Sequence, residues 1–542
     1  MKELLKRMSL REKIGQTAMP SPPAIKWGIK ECGGYKEYFK KYPYCGFYAS
    51  QEGMVNSDGT DMTKSCELAD AVKEIADNME IPAFVAVDAE FGGGRHYEEM
   101  TLIPTNMALG AANSPELAYK RGYYWAKELR SCGMNWAFGP VCDRLTSFFS
   151  STGVRCISDD TELIANLIPH LIQGIKDAGM LSTAKHYPGR IKDFRDPHFS
   201  MCTDNATREE WDRLSKPIWQ AASDAGVDSF MTAHPALPAL DDSYARGKVL
   251  RPASASKKVM DVLRDDIGFG GIIVTDAVSM KCIAAAFDHD DMYIECLNAG
   301  NDVVLFTGND YIDVIEKAVS EGKVSEARID EAVERILNYK KSIGLFDGKI
   351  IGEPMTEEDR AEFNKVNYEI SKAGATLLRN DDGRIPFDHT KMKKATIIVL
   401  SPSERFHDFE IKAMQKAFEK YDVESEIVHT VTSKTTLKAI SDNSDIIVYA
   451  CFLSSTEPHG FPGFSNNREI NTLFNGLSYG AEKSVVASFG SHTVYYNYFE
   501  SVDAYINMYT SNKESMEAFV DGLFGQFEFT GKSPVAVMPE IC

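Results

Sequence analysis

The sequence predicts an α/β protein of two domains: a (β/α) barrel over residues 1–346 and a smaller α/β domain over 376–542, joined at 347–375 by a polar connector with a helix in it. Three observations carry that expectation. A chain of 542 residues exceeds what one hydrophobic core usually supports. Through its first two-thirds, short apolar runs alternate with helical patterns, as parallel strands with outer helices require. Five successive runs also end on an ionisable side chain.

Those runs are "IPAFVAVD", stopping at Asp88, "MNWAFGPVCD" at Asp143, "GMLSTAKH" at His186, "DSFMTAH" at His234 and "GGIIVTD" at Asp276. A buried strand tolerates such groups only where it emerges into a polar site. In a barrel these groups collect at the C-terminal ends of many strands, whereas an open doubly wound sheet gathers them near one switch point. Between the runs, "SPELAYKRGYYWAKELRSCG" repeats its apolar positions at three and four residues, as a helix does. "NDVVLF", Asn301 to Phe306, adds a strand and "SEARIDEAVERILNYKKSIGLF" a long closing helix. After the connector, "ATIIVL", "SDIIVYACFL", "KSVVASFG" and "DAYINMY" supply the strands of the second domain.

Composition narrows the function. With 59 basic against 79 acidic residues the formal charge is -20, which repels phosphate backbones and anionic lipid and argues against nucleic acid as a partner. No stretch approaches the ~20 apolar residues of a membrane span, so no membrane partner is expected. The N-terminus lacks the apolar core of a secretory signal. Eleven cysteines without a C-x-x-C pair, several of them in apolar runs, fit reduced thiols and a cytoplasmic chain.

The chemistry concentrates in "STAKHYPGRIKDFRDPHFS", Ser182 to Ser200, which holds Lys185, His186, Asp196 and His198. Asp196 lies two residues from His198, close enough to fix the imidazole tautomer and raise its basicity. At the end of a buried strand Asp276 could be a rigidly held nucleophile, or a helix cap or ion-pair partner. His186, Asp196, His198 and His234 could also be read as metal ligands, but no H-E-x-x-H or close H-x-H spacing supports a metal, and Lys185 opposes one. The glycines of "DAEFGGGR" lack the spacing and the ending of a phosphate loop.

In order along the chain, "IPAFVAVDAEFGGGR", "IPTNMALGAANSPELAY", "LRSCGMNWAFGPVCD", "GMLSTAKHYPGR", "DSFMTAH", "IGFGGIIVTDAVSM", "LNAGNDVVLF", "SKAGATLLRNDDGRIPF" and "KSVVASFGSH" resemble glycoside hydrolase family 3. Within it they are similar to the bacterial β-N-acetylglucosaminidase branch in its two-domain form. The resemblance covers almost the whole chain and implies a TIM-like (β/α) barrel followed by a smaller C-terminal α/β sandwich. It implies a retaining exo-β-glycosidase, a β-N-acetylhexosaminidase acting on a small amino-sugar glycoside with no cofactor. Asp276 is then the nucleophile, His198 the general acid/base and Asp196 its partner, carried on a mobile loop opened by the K-H-[FY]-P-G pattern of Lys185 to Gly189. Asp88, Arg95, Arg155, Lys185 and His186 are expected to hold sugar hydroxyls, with His234 behind them.

The chain departs from that pattern at Arg190 and Ile191, where the family loop reads His-Gly, at Ala277, where Asp is frequent, and at Pro197, where Ser is common. These departures leave the sugar open, with Arg190 expected to tune the loop toward another amino sugar or an acidic leaving group. The family's β-glucosidases take their proton donor from a glutamate elsewhere, for which Glu457 is the candidate here. A β-glucosidase, a phosphorylase, or a sugar-binding protein without catalysis are the alternatives.

Overall fold

The computed structural model describes residues 1–49, 65–97, 99–402, 408–453, 463–464 and 467–538. They fall into two compact units. The first comprises Met1–Leu102, Ala118–Arg144 and Ile164–Arg360, and the second Ile103–Leu117, Leu145–Leu163 and Ala361–Cys542.

In the first unit eight strands form a closed ring: β1 (Ala18–Pro20), β2 (Gly46–Tyr48), β3 (Phe84–Val87), β4 (Trp136–Ala137), β5 (Thr183–Tyr187), β6 (Ser229–Thr232), β7 (Ile272–Thr275) and β8 (Val304–Thr307). Parallel pairing joins β2 to β3 to β4, β5 to β6 to β7, and β8 to β1. Bridges from Trp136 to Leu181 and from Val274 to Val303 close two of the gaps. The Cys45 amide, donating to the Ala18 carbonyl at 3.2 Å, closes the third. Met19, Phe84, Ala86, Trp136, Met231, Ile272, Val274 and Leu305 from six of the strands meet in one buried cluster. Only the barrel interior brings six strands together in this way. Because side chains alternate along a strand, Asp88 continues the inward row of Phe84 and Ala86, and Asp276 that of Ile272 and Val274.

The second unit holds a six-stranded sheet of β9 (Thr376–Asn380), β10 (Lys394–Leu400), β11 (Glu424–Val428), β12 (Ile446–Cys451), β13 (Ser484–Ser488) and β14 (Ala504–Asn507). Their order is β9-β14-β13-β12-β10-β11, with β9 alone antiparallel to its neighbour. Ile397, Val448 and Val485 enter one buried cluster while Ile398, Ile447 and Val486 enter another, so both faces of the sheet are covered. A largely parallel sheet buried on two faces is the α/β sandwich expected for this region.

The division differs from the one read along the chain. Residues 103–117 and 145–163, expected within 1–346, belong to the second unit. Thr105 donates its hydroxyl to the Tyr509 carbonyl at 3.0 Å, and Ser158 donates to Pro534. The boundary near 360 falls inside the helix Glu357–Gly374, within the expected connector. Strands β1, β2, β9 and β11 lie outside the apolar runs that the sequence marks as strands.

One buried charge stands out in the first unit. Lys340, in the helix Glu326–Ser342, is fully buried, donates to Gln16 Oε1 at 2.7 Å and lies 5.1 Å above the ring of Phe84. Burial pushes its ammonium down to about 7. The unfolded chain, at about 10.4, binds the proton more tightly. Stability therefore rises with pH from about 7 toward 10.4, by up to about 1.4 kcal/mol per pH unit. Denaturant unfolding at pH 7 and pH 9 is expected to show this gain in the wild type and to lose it in Lys340→Met.

Candidate active site

The ends of β3, β5, β6 and β7 deliver the expected groups to the C-terminal mouth of the barrel. Asp88 directly follows β3, and Lys185 lies in β5 with its side chain only 2% exposed. The Lys185 ammonium donates to Asp88 Oδ1 at 2.5 Å and pairs with Glu90 Oε1 at 2.5 Å. Tyr48 donates its hydroxyl to Asp88 Oδ2 at 3.3 Å. A buried ammonium is tolerated because two carboxylates meet it.

Beside it, His186 Nδ1 lies 2.6 Å from Asp143 Oδ2, and the His186 amide donates to Asp143 Oδ1 at 3.4 Å. One carboxylate thus fixes the ring and its backbone. Facing a carboxylate, Nδ1 carries the proton.

Asp276 follows β7, and its backbone amide donates to the Thr232 carbonyl at 2.9 Å. Its Oδ1 accepts from the Ala277 amide at 2.7 Å. Burial works to raise this carboxyl, but His186, then His234, the Ala277 amide and His198 outweigh it and hold it below the ordinary carboxylate value. His234 is fully buried, with Nδ1 2.7 Å from the Ser254 hydroxyl and Nε2 2.9 Å from the Ala277 carbonyl. Nε2 faces an acceptor and so carries the proton, while burial lowers the imidazole's affinity for a second one. His234 fixes the peptide that follows Asp276.

The loop after β5 is pinned at both ends. The Pro188 carbonyl accepts from Trp211 Nε1 at 3.0 Å, the Ser215 hydroxyl at 2.8 Å and Trp219 Nε1 at 2.9 Å. Gly189 turns there with φ +81°, and a Cβ would sit 2.7 Å from the Ser215 hydroxyl, so the position takes only glycine. At the far end the buried Asp204 accepts from the amides of Ile191 at 2.5 Å, Lys192 at 2.9 Å and Ala206 at 2.9 Å. Its own amide donates to the Ala236 carbonyl at 2.8 Å.

Inside that frame, Asp193 holds Arg195 through Nε at 3.0 Å and Nη2 at 2.6 Å. Asp196 Oδ1 lies 2.6 Å from His198 Nδ1 and accepts the His198 amide at 2.9 Å. The His198 carbonyl accepts from the Lys281 amide, and the Pro197 carbonyl from the Cys282 amide, each at 3.1 Å. The Asp196–His198 pair is thereby docked on the segment that follows Asp276, and His198 contributes to the field at that carboxylate.

The first unit thus carries Asp88, Lys185, His186, Asp196, His198, His234 and Asp276 on the elements around one barrel mouth. Arg95 lies exposed in the turn Gly93–Arg95 after β3. Arg155 belongs to the second unit, in the turn Gly153–Arg155, where its carbonyl accepts from Asn106 Nδ2 at 2.8 Å. Glu457 lies outside the described residues. Arg190 donates to the Arg195 carbonyl at 2.5 Å, so part of its guanidinium bonds within the loop itself.

Two partners escape sequence reasoning: Glu90, which completes the Lys185 clamp, and Asp143, which holds His186. Asp143 does end an apolar run, but no spacing in the chain links it to His186, 43 residues on. Among the described residues no group of three or more His, Cys, Asp or Glu is arranged to hold a metal ion. No helix there is long and apolar enough to cross a membrane.

A barrel mouth that sets a half-buried aspartate beside imidazoles and a clamped lysine suits glycoside chemistry, and comparison with known proteins gives the family. Residues 9–339 match the glycosyl hydrolase family 3 N terminal domain, and the chain belongs to that family of glycoside hydrolases. It is 27% identical over 522 residues to a beta-N-acetylglucosaminidase/beta-glucosidase of Cellulomonas fimi, covering 88% of each chain. To a beta-hexosaminidase of Chromobacterium violaceum it is 33% identical over 229 residues, 41% of this chain and 62% of that one. Solved structures share the fold. A beta-glucoside phosphorylase superposes with a TM-score of 0.84 at 22% identity over 99% of this chain and 95% of that one. A family 3 beta-N-acetylglucosaminidase from Paenibacillus sp. str. FPU-7 gives 0.82 at 23% identity over 98% and 100%.

Replacing Lys185 with Met removes the cation that Asp88 and Glu90 share. It is expected to cost about 2–4 kcal/mol of unfolding free energy. Lys185→Met with Glu90→Gln is expected to recover part of that loss, read from denaturant midpoints.

Proposed function

We propose that the chain is a retaining exo-β-glycosidase, a β-N-acetylhexosaminidase that releases terminal N-acetylglucosamine-type sugars from small cytoplasmic saccharides. The observation that carries this reading is the docking of the Asp196–His198 pair onto the segment that follows Asp276. It supports reading Asp276 as a nucleophile and His198 as a proton donor of a different chemical type.

Held ionised, Asp276 attacks the anomeric carbon and forms a covalent glycosyl-enzyme. His198 gives a proton to the departing oxygen. Its Nδ1–H donates to Asp196, so proton transfer falls to Nε2, and Asp196 stabilises the imidazolium. With the leaving group gone, the neutral imidazole takes a proton from the water that frees the sugar. Asp88, clamped by Lys185, and His186, oriented by Asp143, present fixed acceptors and donors to the sugar hydroxyls; Arg95 and Arg155 are assigned to the same task on the resemblance. Fixed groups cost little reorganisation as charge develops. The names of the Chromobacterium and Paenibacillus proteins favour the acetamido sugar, whereas that of the Cellulomonas protein carries both the acetamido sugar and glucose.

A second reading, phosphorolysis, has one observation in its favour. The proton donor is an imidazole rather than a carboxylate, and Arg190 and Arg195 share its loop, so an incoming phosphate meets no fixed anion on that residue. The named activity of one fold neighbour is of this kind.

Release of sugar from the p-nitrophenyl β-N-acetylglucosaminide, the β-glucoside and a β-linked amino-sugar disaccharide tests both readings. Asp276→Ala is expected to lower kcat about 10⁴-fold on every substrate the wild type cleaves. His198→Ala is expected to lose about 10²–10⁴-fold on the disaccharide and less on p-nitrophenyl glycosides, whose phenol leaves with little help. Turnover of the glucoside alone, or a disaccharide rate indifferent to His198→Ala, would sink the hexosaminidase reading. With added phosphate, a sugar 1-phosphate product selects the second reading and free sugar the first.

A further inference from the structure

We propose that Cys202 and Cys282 are a modification site: a thiol pair that a hydroperoxide converts to a disulfide, tying the loop that carries Asp196 and His198 to the segment that follows Asp276. Cys202 lies four residues past His198, and Cys282 six residues past Asp276. The Cys202 amide donates to Cys282 Sγ at 3.4 Å, and Cys282 Sγ lies 3.9 Å from the Cys202 carbonyl. Cys202 Sγ in turn faces the loop's own Ser200 and Arg195 carbonyls, at 3.6 and 3.7 Å. Both residues are buried, yet a cavity of about 240 Å³ reaches both, together with His234. Its lining includes Met201 and Lys248, both exposed, which give a small oxidant a way in.

The two thiols are chemically unequal. The nearby Cys282 thiol lowers the Cys202 thiol against the effect of burial and of Asp193, and the Arg190 and Arg195 guanidinium groups add to the lowering. The same contact, with burial, pushes Cys282 up. Cys202, which sits against the Arg190–Arg195 loop through its contact with the Arg195 carbonyl, is assigned as the attacking thiol and Cys282 as the resolving one. The Cys202 sulfur attacks the distal peroxide oxygen, the O–O bond breaks, and a sulfenic acid forms as hydroxide or alkoxide leaves with the proton from Cys202. Cys282 sulfur then displaces the sulfenic hydroxyl, which departs as water with the Cys282 proton. Two thiols lose two electrons and the peroxide gains them.

In the reduced protein the loop is held to residues 281–282 by backbone hydrogen bonds that can open. The disulfide makes that attachment covalent. For its effect on turnover the inference rests on the reading of His198 as a proton donor carried on a loop that must move; the cross-link does not.

Full-length protein treated with hydrogen peroxide, alkylated with iodoacetamide, digested and analysed by mass spectrometry provides the test. A linked peptide pair containing Cys202 and Cys282 is expected, absent from Cys202→Ser and Cys282→Ser and reversed by dithiothreitol. Turnover is expected to fall about tenfold or more in the oxidised wild type, to return on reduction, and to resist peroxide in both variants. Absence of that linked pair from folded, oxidised protein overturns the proposal. A complete cross-link that leaves turnover unchanged overturns the mobile-loop reading and leaves the thiol pair standing.

Discussion

The barrel mouth is organised around one ammonium group taken out of water. Isolated, the charge of Lys185 would cost several kcal/mol at its position in β5. Asp88 and Glu90 make it tolerable, and in doing so they lose their own freedom. Strands β3 and β5 are joined through this contact, although 97 residues separate Asp88 from Lys185. The next residue along β5, His186, inherits a fixed backbone and adds Asp143 as a second anchor. A rigid, charged rim is the consequence, and it leaves Asp276 among oriented imidazoles.

Asp276 needs a different kind of support. Buried carboxylates drift toward the protonated form, which makes a poor nucleophile. Here the carboxylate is kept ionised by dipoles and rings rather than by a direct ion pair, so no cation has to be stripped from it before it can react. His234 contributes without reaching the reacting face: it holds the Ala277 carbonyl, and the Ala277 amide in turn holds Asp276. The hydrogen-bonded turn after β7 thus acts as part of the electrostatic environment.

Much of this was readable along the chain, and the unread parts have a common cause. Strands β3, β5, β6, β7 and β8 were legible because their apolar runs are bounded, four of them by an ionisable residue. Strands β1 and β2 have three residues each, too few to show a period. In "ESEIV", β11, the acids of an edge strand hide the pattern. Asp88, Lys185, His186, Asp196, His198 and Asp276 were found by position or resemblance, whereas Glu90 and Asp143 matter only through partners that folding brings near. The same limit explains the residues 103–117 and 145–163, whose place in the second unit depends on bonds to Tyr509 and Pro534.

The triple hydrogen bond on the Pro188 carbonyl and the cluster of amides on Asp204 act on the ends of a loop and leave its middle unconstrained by either. Side chains from 194 to 200 can therefore be exchanged as a cassette: any sequence that keeps the acid–imidazole pair at its tip inherits correct end points from Trp211, Ser215, Trp219 and Asp204. Pro197 occupies that exchangeable interior, and Arg190 and Ile191 stand at its first pinned end. A lineage could change what lies over the sugar there without re-solving the barrel, which makes this loop the natural seat of divergence and the first place to engineer a new substrate.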